Sequence, residues 1–315
     1  MRFPLLLGTV LLLVGCGPDQ APSEPESAQP PPRRPLPQPD RFEAPGRVVA
    51  MGDVHGDFEA MMAALRLAEL VDEGGSWTGG DAVVVQTGDQ LDRGDTERAI
   101  LDTLNRLADE AHAAGGAVVA LNGNHEAMNV ELDLRYVTEG GFADFADLAP
   151  PVAEQDDTLL EWSESERGRV AAFRPGGPYA RLLARQNTAA VVGGTVFVHG
   201  GLLPAHIDWG LENINEDVRA WMEGDGEEPS DIIDGDGPLW VRDYSDGPGE
   251  EECAVLEEAL SDLDAVRMVV GHTVQNEINV ACFGMVWRVD VGMAAAYGGS
   301  PAVLEIEGDD VRVLD

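Results

Sequence analysis

Five short apolar runs punctuate the chain, and each is followed within two residues by a glycine. They are Arg47-Val-Val-Ala-Met51, Ala82-Val-Val-Val-Gln86, Ala117-Val-Val-Ala-Leu121, Thr195-Val-Phe-Val198 and Arg267-Met-Val-Val270. Their length and β-branched content predict buried strands. Between the first two, Phe58–Leu70 carries apolar residues at helical spacing, and Glu97–Leu107 does so between the second and third. Strand and helix therefore alternate, which predicts an α/β sandwich from residue 47 onward.

The polar residues after each run are unusual. The first is followed by Gly52-Asp53-Val54-His55-Gly56-Asp57 and the second by Gly88-Asp89-Gln90-Leu91-Asp92-Arg93-Gly94-Asp95. Gly123-Asn124-His125-Glu126 follows the third, His199-Gly200-Gly201 the fourth and Gly271-His272-Thr273 the fifth. A turn needs a glycine and one aspartate; it does not need a histidine. Ligands of α/β sheets sit beyond the carboxyl ends of strands, where loops converge. Asp53 and His55, two apart, point to one side of an extended backbone. Any single cluster reads most simply as a capped turn, but five together point to a shared site. His112, near a helix end, and His206, in a loop, read as structural.

Asp, Asn and His without cysteine suit Mn²⁺ foremost, with Fe or Zn²⁺ as alternatives. A bridging aspartate with further ligands from separate strands is how a two-metal centre is assembled, and such centres stabilise in-line displacement at phosphorus.

Composition narrows the partners. The 315 residues carry a formal charge of −38, which argues against nucleic acid, since phosphate backbones are bound by clustered Lys and Arg. The same field repels anionic substrates, so a phosphate site needs local positive charge.

The N-terminus reads as a separate matter. Residues 1–15 hold an apolar run that ends in Leu13-Val14-Gly15-Cys16, too short to span a bilayer but suited to a signal-peptide core. The ending resembles a bacterial lipobox, which implies a lipid anchor on Cys16 and a place in the cell envelope, in the periplasm or at the outer membrane. Ten of the 20 prolines lie between Pro18 and Pro45, so residues 16–46 read as a disordered tether reaching roughly 30–90 Å. Cys253 and Cys282 remain; in an oxidising compartment an even pair can bridge, although sequence supplies no geometry.

The ordered motifs GDxHG, GDxxDRG, GNHE, HGG and a late histidine resemble those of the calcineurin-like metallophosphoesterases, in the phosphoprotein phosphatase superfamily. Asp95 directly after Asp92-Arg93-Gly94, Gly271-His272-Thr273, and Trp287-Arg-Val-Asp-Val-Gly-Met293 are similar to the bacterial Shewanella-like protein phosphatases. The resemblance covers about residues 47–299. It implies a β-sandwich flanked by helices within residues 47–315, with a mainly helical insertion at about 127–190 that holds Arg135, Tyr136, Trp162 and Tyr179. It also implies two divalent metal ions: Asp53 and His55 on one, Asp89 bridging, and Asn124, His199 and His272 on the other. His125 would protonate the leaving group, oriented by Asp92, and Arg93 would hold phosphate together with Asn124. Hydroxide held at the metals would attack directly, without a phosphoenzyme.

Two departures stand out. Eukaryotic serine/threonine phosphatases usually place Arg before GNHE, where this chain has Asn122. Where they have Leu-Trp-Ser-Asp-Pro, it has Leu239-Trp240-Val241-Arg242-Asp243. Arg242 is thus a candidate replacement for the phosphate-binding arginine. The expected activity is hydrolysis of phosphomonoesters, with phosphorylated protein as the leading substrate class. A small phosphate ester or dinucleoside polyphosphate is the alternative, and an inactive phosphate- or metal-binding lipoprotein the least favoured reading.

Overall fold

The valine-rich runs pair into two mixed sheets in a computed structural model that describes residues 38–43 and 46–315. The strands are β1 (Arg41–Phe42), β2 (Arg47–Met51), β3 (Val83–Gln86), β4 (Ala117–Ala120), β5 (Ala189–Val192), β6 (Thr195–Val198), β7 (Arg267–Val270), β8 (Asn279–Ala281), β9 (Val286–Arg288), β10 (Val303–Glu307) and β11 (Asp310–Leu314). One sheet runs β11-β10-β2-β3-β4 and the other β1-β5-β6-β7-β9-β8. The strands that carry the polar clusters are parallel neighbours: β2, β3 and β4 in the first sheet, β6 and β7 in the second. Parallel pairing puts their carboxyl ends on one edge of each sheet.

Period-two alternation explains the layering. Ala190, Val192, Phe197 and Val269 of the second sheet join Val49, Val84, Val119 and Leu304 of the first in one apolar core. The alternate residues Val191, Val196, Val198, Met268 and Val270 pack outward against Leu256 and Leu260 of a covering helix. All of these are buried.

The helices are α1 (Phe58–Leu67), α2 (Glu97–Ala114), α3 (Asn124–Val130), α4 (Glu139–Asp144), α5 (Asp157–Leu160), α6 (Arg167–Phe173), α7 (Pro178–Leu183), α8 (Pro204–Trp209), α9 (Leu211–Glu223), α10 (Ser230–Ile233) and α11 (Glu250–Asp262). α2 outruns its expected end at Leu107 because Ala111 continues the buried stripe, and it stops where Gly115 takes a left-handed conformation, the usual helix C-terminus. The segment between the third and fourth clusters is helical, and it builds a second core. Phe145, Phe173 and Leu183 pack there with Leu101 of α2, Trp221 of α9 and Leu91 of the loop after β3. The helices of this segment thus share a core with the loop that carries Asp89 and Asp92.

The expected tether needs one correction. It was to stay disordered through residue 46, yet Arg41 and Phe42 pair in parallel with Val191 and Val192. Phe42 packs on the central core, and Gln38 N–H donates to Arg185 O at 3.4 Å. An apolar ring and an open sheet edge outweigh the proline-rich composition there. The apolar segment and Cys16 lie outside the described residues, among which no helix is long and apolar enough to cross a membrane. Cys253 of α11 and Cys282, before β9, are bridged, with Cα atoms 5.1 Å apart.

Candidate metal centre at the strand ends

Asp53, His55, Asp89, Asn124, His199 and His272 are all buried, each at most 9% exposed, and the fold brings them together from five strand ends. The local backbone is strained to do so. His55, Asp89, Asp92, Arg93 and His272 have φ between 40° and 68°, a region non-glycine residues rarely adopt and one that clusters at functional sites. At Gly123 and Gly271 glycine is needed for space, since an added Cβ would lie 2.3 Å from Asp89 Oδ1 and 2.5 Å from Asp53 Oδ1 respectively.

Asp89 stands at the centre. Its Oδ1 lies 3.3 Å from His199 Nε2, and its Oδ2 lies 3.6 Å from His55 Nε2. Two oxygens of one carboxylate therefore address two separate imidazoles. His125 N–H also donates to Oδ1 at 3.0 Å. Burial raises the Asp89 pKa, but His199, His125 and His55 outweigh it and hold the group well below its ordinary value. Asp53 behaves oppositely: burial, then the charges of Asp290 and Asp89, push it well above.

The imidazole tautomers follow from the carbonyls they meet. His199 Nδ1 lies 2.9 Å from Thr87 O and His55 Nδ1 lies 3.0 Å from Leu91 O, so both Nδ1–H groups donate and both Nε2 atoms keep lone pairs. His199 Nε2 then faces Asn124 Oδ1 at 2.9 Å, His272 Nδ1 at 3.1 Å and Asp89 Oδ1 at 3.3 Å. His55 Nε2 faces Asp89 and, at 3.9 Å, Asp53 Oδ2. So many electron-rich atoms directed at one another fit cations between them. Burial lowers the His55 pKa to about 4 and, with His199 beside it, that of His272 to about 2; metal ligation needs such neutral rings.

Two groups of potential ligand atoms emerge, His55–Asp89–His125 and Asp89–His199–His272, and they share Asp89. His125 differs from the other histidines. Its Nδ1 lies 2.5 Å from Asp92 Oδ2, and its Nε2 lies 3.9 Å from Asp89 Oδ2. Burial opposes its charge, but Asp89 and the Asp92 hydrogen bond prevail and raise the pKa to about 8.

Arg93 is exposed, with its guanidinium carbon 4.1 Å above the Tyr136 ring and 5.9 Å from that of Tyr297. Those rings also flank His125 and His55, each with centroids 5.2 Å apart. A cleft of about 390 Å³ opens there, lined by His55, Asp57, Phe58, Arg93, Asp95 and Ala295 among others. Of the insertion residues, Tyr136 reaches the site, whereas Tyr179 packs against Phe145 and Phe173. Arg242 donates to Thr273 Oγ1 at 2.7 Å and to His272 O at 3.3 Å, which seats it beside the second group. Asn122 turns away, donating to Leu183 O at 3.2 Å.

Sequence reasoning assigned no role to three buried groups. Glu126 accepts from Asp89, Gln90, Leu91 and Gly123 N–H at 2.7–3.1 Å and so shapes the Asp89 loop. Asp290 is buried with one oxygen on Gly292 N–H at 2.8 Å; it lies within the Trp287–Met293 motif, the one signal that pointed to it. Arg169 is fully buried on α6, and nothing in its sequence context marks it.

The chain matches the family described as Calcineurin-like phosphoesterase over residues 46–276. It is 42% identical to Shewanella-like protein phosphatase 2 of Arabidopsis thaliana over 87% of this chain and 78% of the plant protein. The crystal structure of a cold-active protein-tyrosine phosphatase from a psychrophilic Shewanella superposes with a TM-score of 0.69 at 26% identity, over 89% of this chain and 83% of that one. A protein serine/threonine phosphatase from Saccharomyces cerevisiae shares the fold, with a TM-score of 0.57 at 14% identity over 89% and 84%.

Proposed function

The chain belongs to the calcineurin-like phosphoesterase family, and on that premise we propose that it hydrolyses phosphomonoesters of proteins at a two-metal centre bridged by Asp89. It is a metallophosphoesterase, hence a hydrolase, with protein phosphatases among its relatives. The carrying observation is the division of the Asp89 carboxylate between His199 and His55, at 3.3 and 3.6 Å.

Asp53 and His55 would hold one cation, Asn124, His199 and His272 the other, and Asp89 would contribute to both. The donors are oxygen and imidazole nitrogen, which suits Mn²⁺ foremost, then Fe or Zn²⁺. When bound, such a pair activates water and neutralises phosphoryl oxygens. Arg93, carried on the Tyr136 face, binds two phosphate oxygens with its planar fork, and Asn124 and Arg242 complete the phosphate cradle from the His272 side. His125 delivers its proton to the leaving oxygen. Its Nδ1–H is committed to Asp92, so the Nε2–H does the work. The Asp92 carboxylate behind the ring favours its protonated form, which a general acid requires.

Phosphotyrosine is the first protein substrate to test, because rings of Tyr136 and Tyr297 flank Arg93 and the superposed Shewanella enzyme is a protein-tyrosine phosphatase. Phosphotyrosyl, phosphoseryl and phosphothreonyl peptides should be assayed beside a dinucleoside polyphosphate with added Mn²⁺. Release of phosphate from peptides supports the proposal. Turnover of the dinucleotide alone favours the small-ester reading, and no turnover of any favours a binding protein.

Export and lipid anchoring at Cys16 complete the proposal. They draw on the apolar run before that cysteine and on the Cys253–Cys282 bridge, since disulfides persist in oxidising compartments. Labelled fatty acid should be incorporated by the chain expressed in bacteria and not by Cys16→Ser.

A further inference from the structure

Arg169 spends every donor it has. Its Nε donates to Asn129 Oδ1 at 2.8 Å. Nη1 donates to Glu97 Oε2 and to Gly141 O. Nη2 donates to Glu97 Oε1 at 2.9 Å and to Asp92 Oδ1 at 3.3 Å. A guanidinium has five N–H groups, and these contacts use them all, with no solvent exposure. Its faces are covered as well, by Phe173 at 4.9 Å and Phe145 at 5.3 Å.

The partners matter more than their number. Asp92 has one oxygen, Oδ2, on His125 Nδ1. The other, Oδ1, is held by Asn129 Nδ2 at 3.0 Å and by Arg169. Asn129 Nδ2 also reaches His125 O at 2.8 Å, and Glu97 Oε1 accepts Asp92 N–H at 2.5 Å. An aspartate carboxyl rotates softly about its last torsion; here both oxygens and the backbone N–H are pinned. Arg169 comes from α6, within the insertion, whereas Glu97 opens α2 and Asp92 lies in the loop between β3 and α2. A charged fork from the insertion thus reaches the carboxylate that holds the leaving-group histidine of α3.

We propose that Arg169 is a positioning residue for proton delivery: it fixes the Asp92 carboxylate, and through it the His125 ring, so that the helical insertion is mechanically tied to leaving-group departure. This rests on the phosphomonoesterase reading, in which His125 is the general acid. A merely structural arginine would affect all substrates alike. A positioning one affects those whose leaving oxygen needs a proton.

Removing Arg169 alone strands Glu97 as a buried charge, so two milder changes are used. Arg169→Lys keeps the charge but loses the fork. Glu97→Gln with Arg169→Gln removes both charges and leaves Asp92 without its guanidinium. Each is compared with His125→Ala on an alkyl phosphate and on 4-nitrophenyl phosphate, with metal content and thermal melting recorded. The double variant should lose roughly 10- to 100-fold on the alkyl ester, a share of the general-acid effect, and less than about threefold on the nitrophenyl ester, with Arg169→Lys between it and wild type. Equal losses on both esters, or none, overturn the proposal. If His125→Ala shows no such split, the general-acid reading itself fails. A second readout is independent of turnover: in metal-free wild type the His125 Nδ1–H proton resonance should lie far downfield and vanish in Asp92→Ala. It should move upfield in the double variant, and an unmoved resonance contradicts the proposal.

Discussion

His125 Nδ1 lies 2.5 Å from Asp92 Oδ2, while the opposite nitrogen of the same ring faces Asp89 Oδ2 at 3.9 Å. The imidazole therefore rests on the Asp92 carboxylate on one side and faces the Asp89 carboxylate on the other. A serine alkoxide needs a proton as it leaves; a nitrophenolate does not. His125→Ala should lose about 10²–10⁴-fold on an alkyl phosphate and much less on 4-nitrophenyl phosphate, with metal content retained. Loss of metal on elemental analysis would make His125 a ligand, as its place in the first ligand group allows.

The same ring gives a pH signature in metal-free protein. Its folded pKa, about 8, exceeds the ordinary 6.5. Its contribution to stability is thus fully present below pH 6.5 and is lost as pH rises through 8. A shift of that size corresponds to about 2 kcal/mol. Denaturant melts of chelator-treated wild type and His125→Gln should differ most near pH 6 and converge above pH 9. A gap that widens with pH would contradict the assignment.

In the proposed mechanism Arg93 binds the phosphoryl group and not the leaving oxygen. Loss of a charge-assisted contact costs about 1.5–3 kcal/mol, so Arg93→Ala should lower kcat/KM roughly 10- to 100-fold on both esters alike and weaken inhibition by inorganic phosphate. A split between esters like that of His125 would reassign it.

Cys253 and Cys282 close a loop of sequence separation 29. In the chain-entropy account such a bridge contributes about 3–4 kcal/mol. Cys253→Ser with Cys282→Ser should melt correspondingly lower than oxidised wild type and match reduced wild type; an unchanged melting temperature would show the bridge to be dispensable.

The convergence of the polar clusters at one candidate site was legible from sequence. Asp53, Asp89, Asn124, His199 and His272 follow apolar runs that mark their strands plainly, and the fold buries them together. Groups that act through burial were not. Arg169 reads like any surface arginine until Glu97 and Asp92 fold around it. Glu305 interrupts the apolar pattern of β10, yet it is buried between Arg47 and Arg312, so the β10–β11 hairpin escaped notice. The left-handed backbone at Asp89 and His272 likewise depends on contacts distant in the chain, such as His272 N–H on Asp53 at 3.2 Å.

If Asp89 serves two cations at once, its loss must be felt at both positions, and the metal stoichiometry of Asp89→Asn reads that out. Wild-type protein loaded with Mn²⁺ and freed of excess should carry about two ions per chain. Asp89→Asn, folded by circular dichroism, should lose metal from both positions and turnover with it, whereas Asp53→Asn should spare the ion at His199 and His272. An Asp89→Asn protein that keeps both ions and normal phosphate release would contradict the two-metal account.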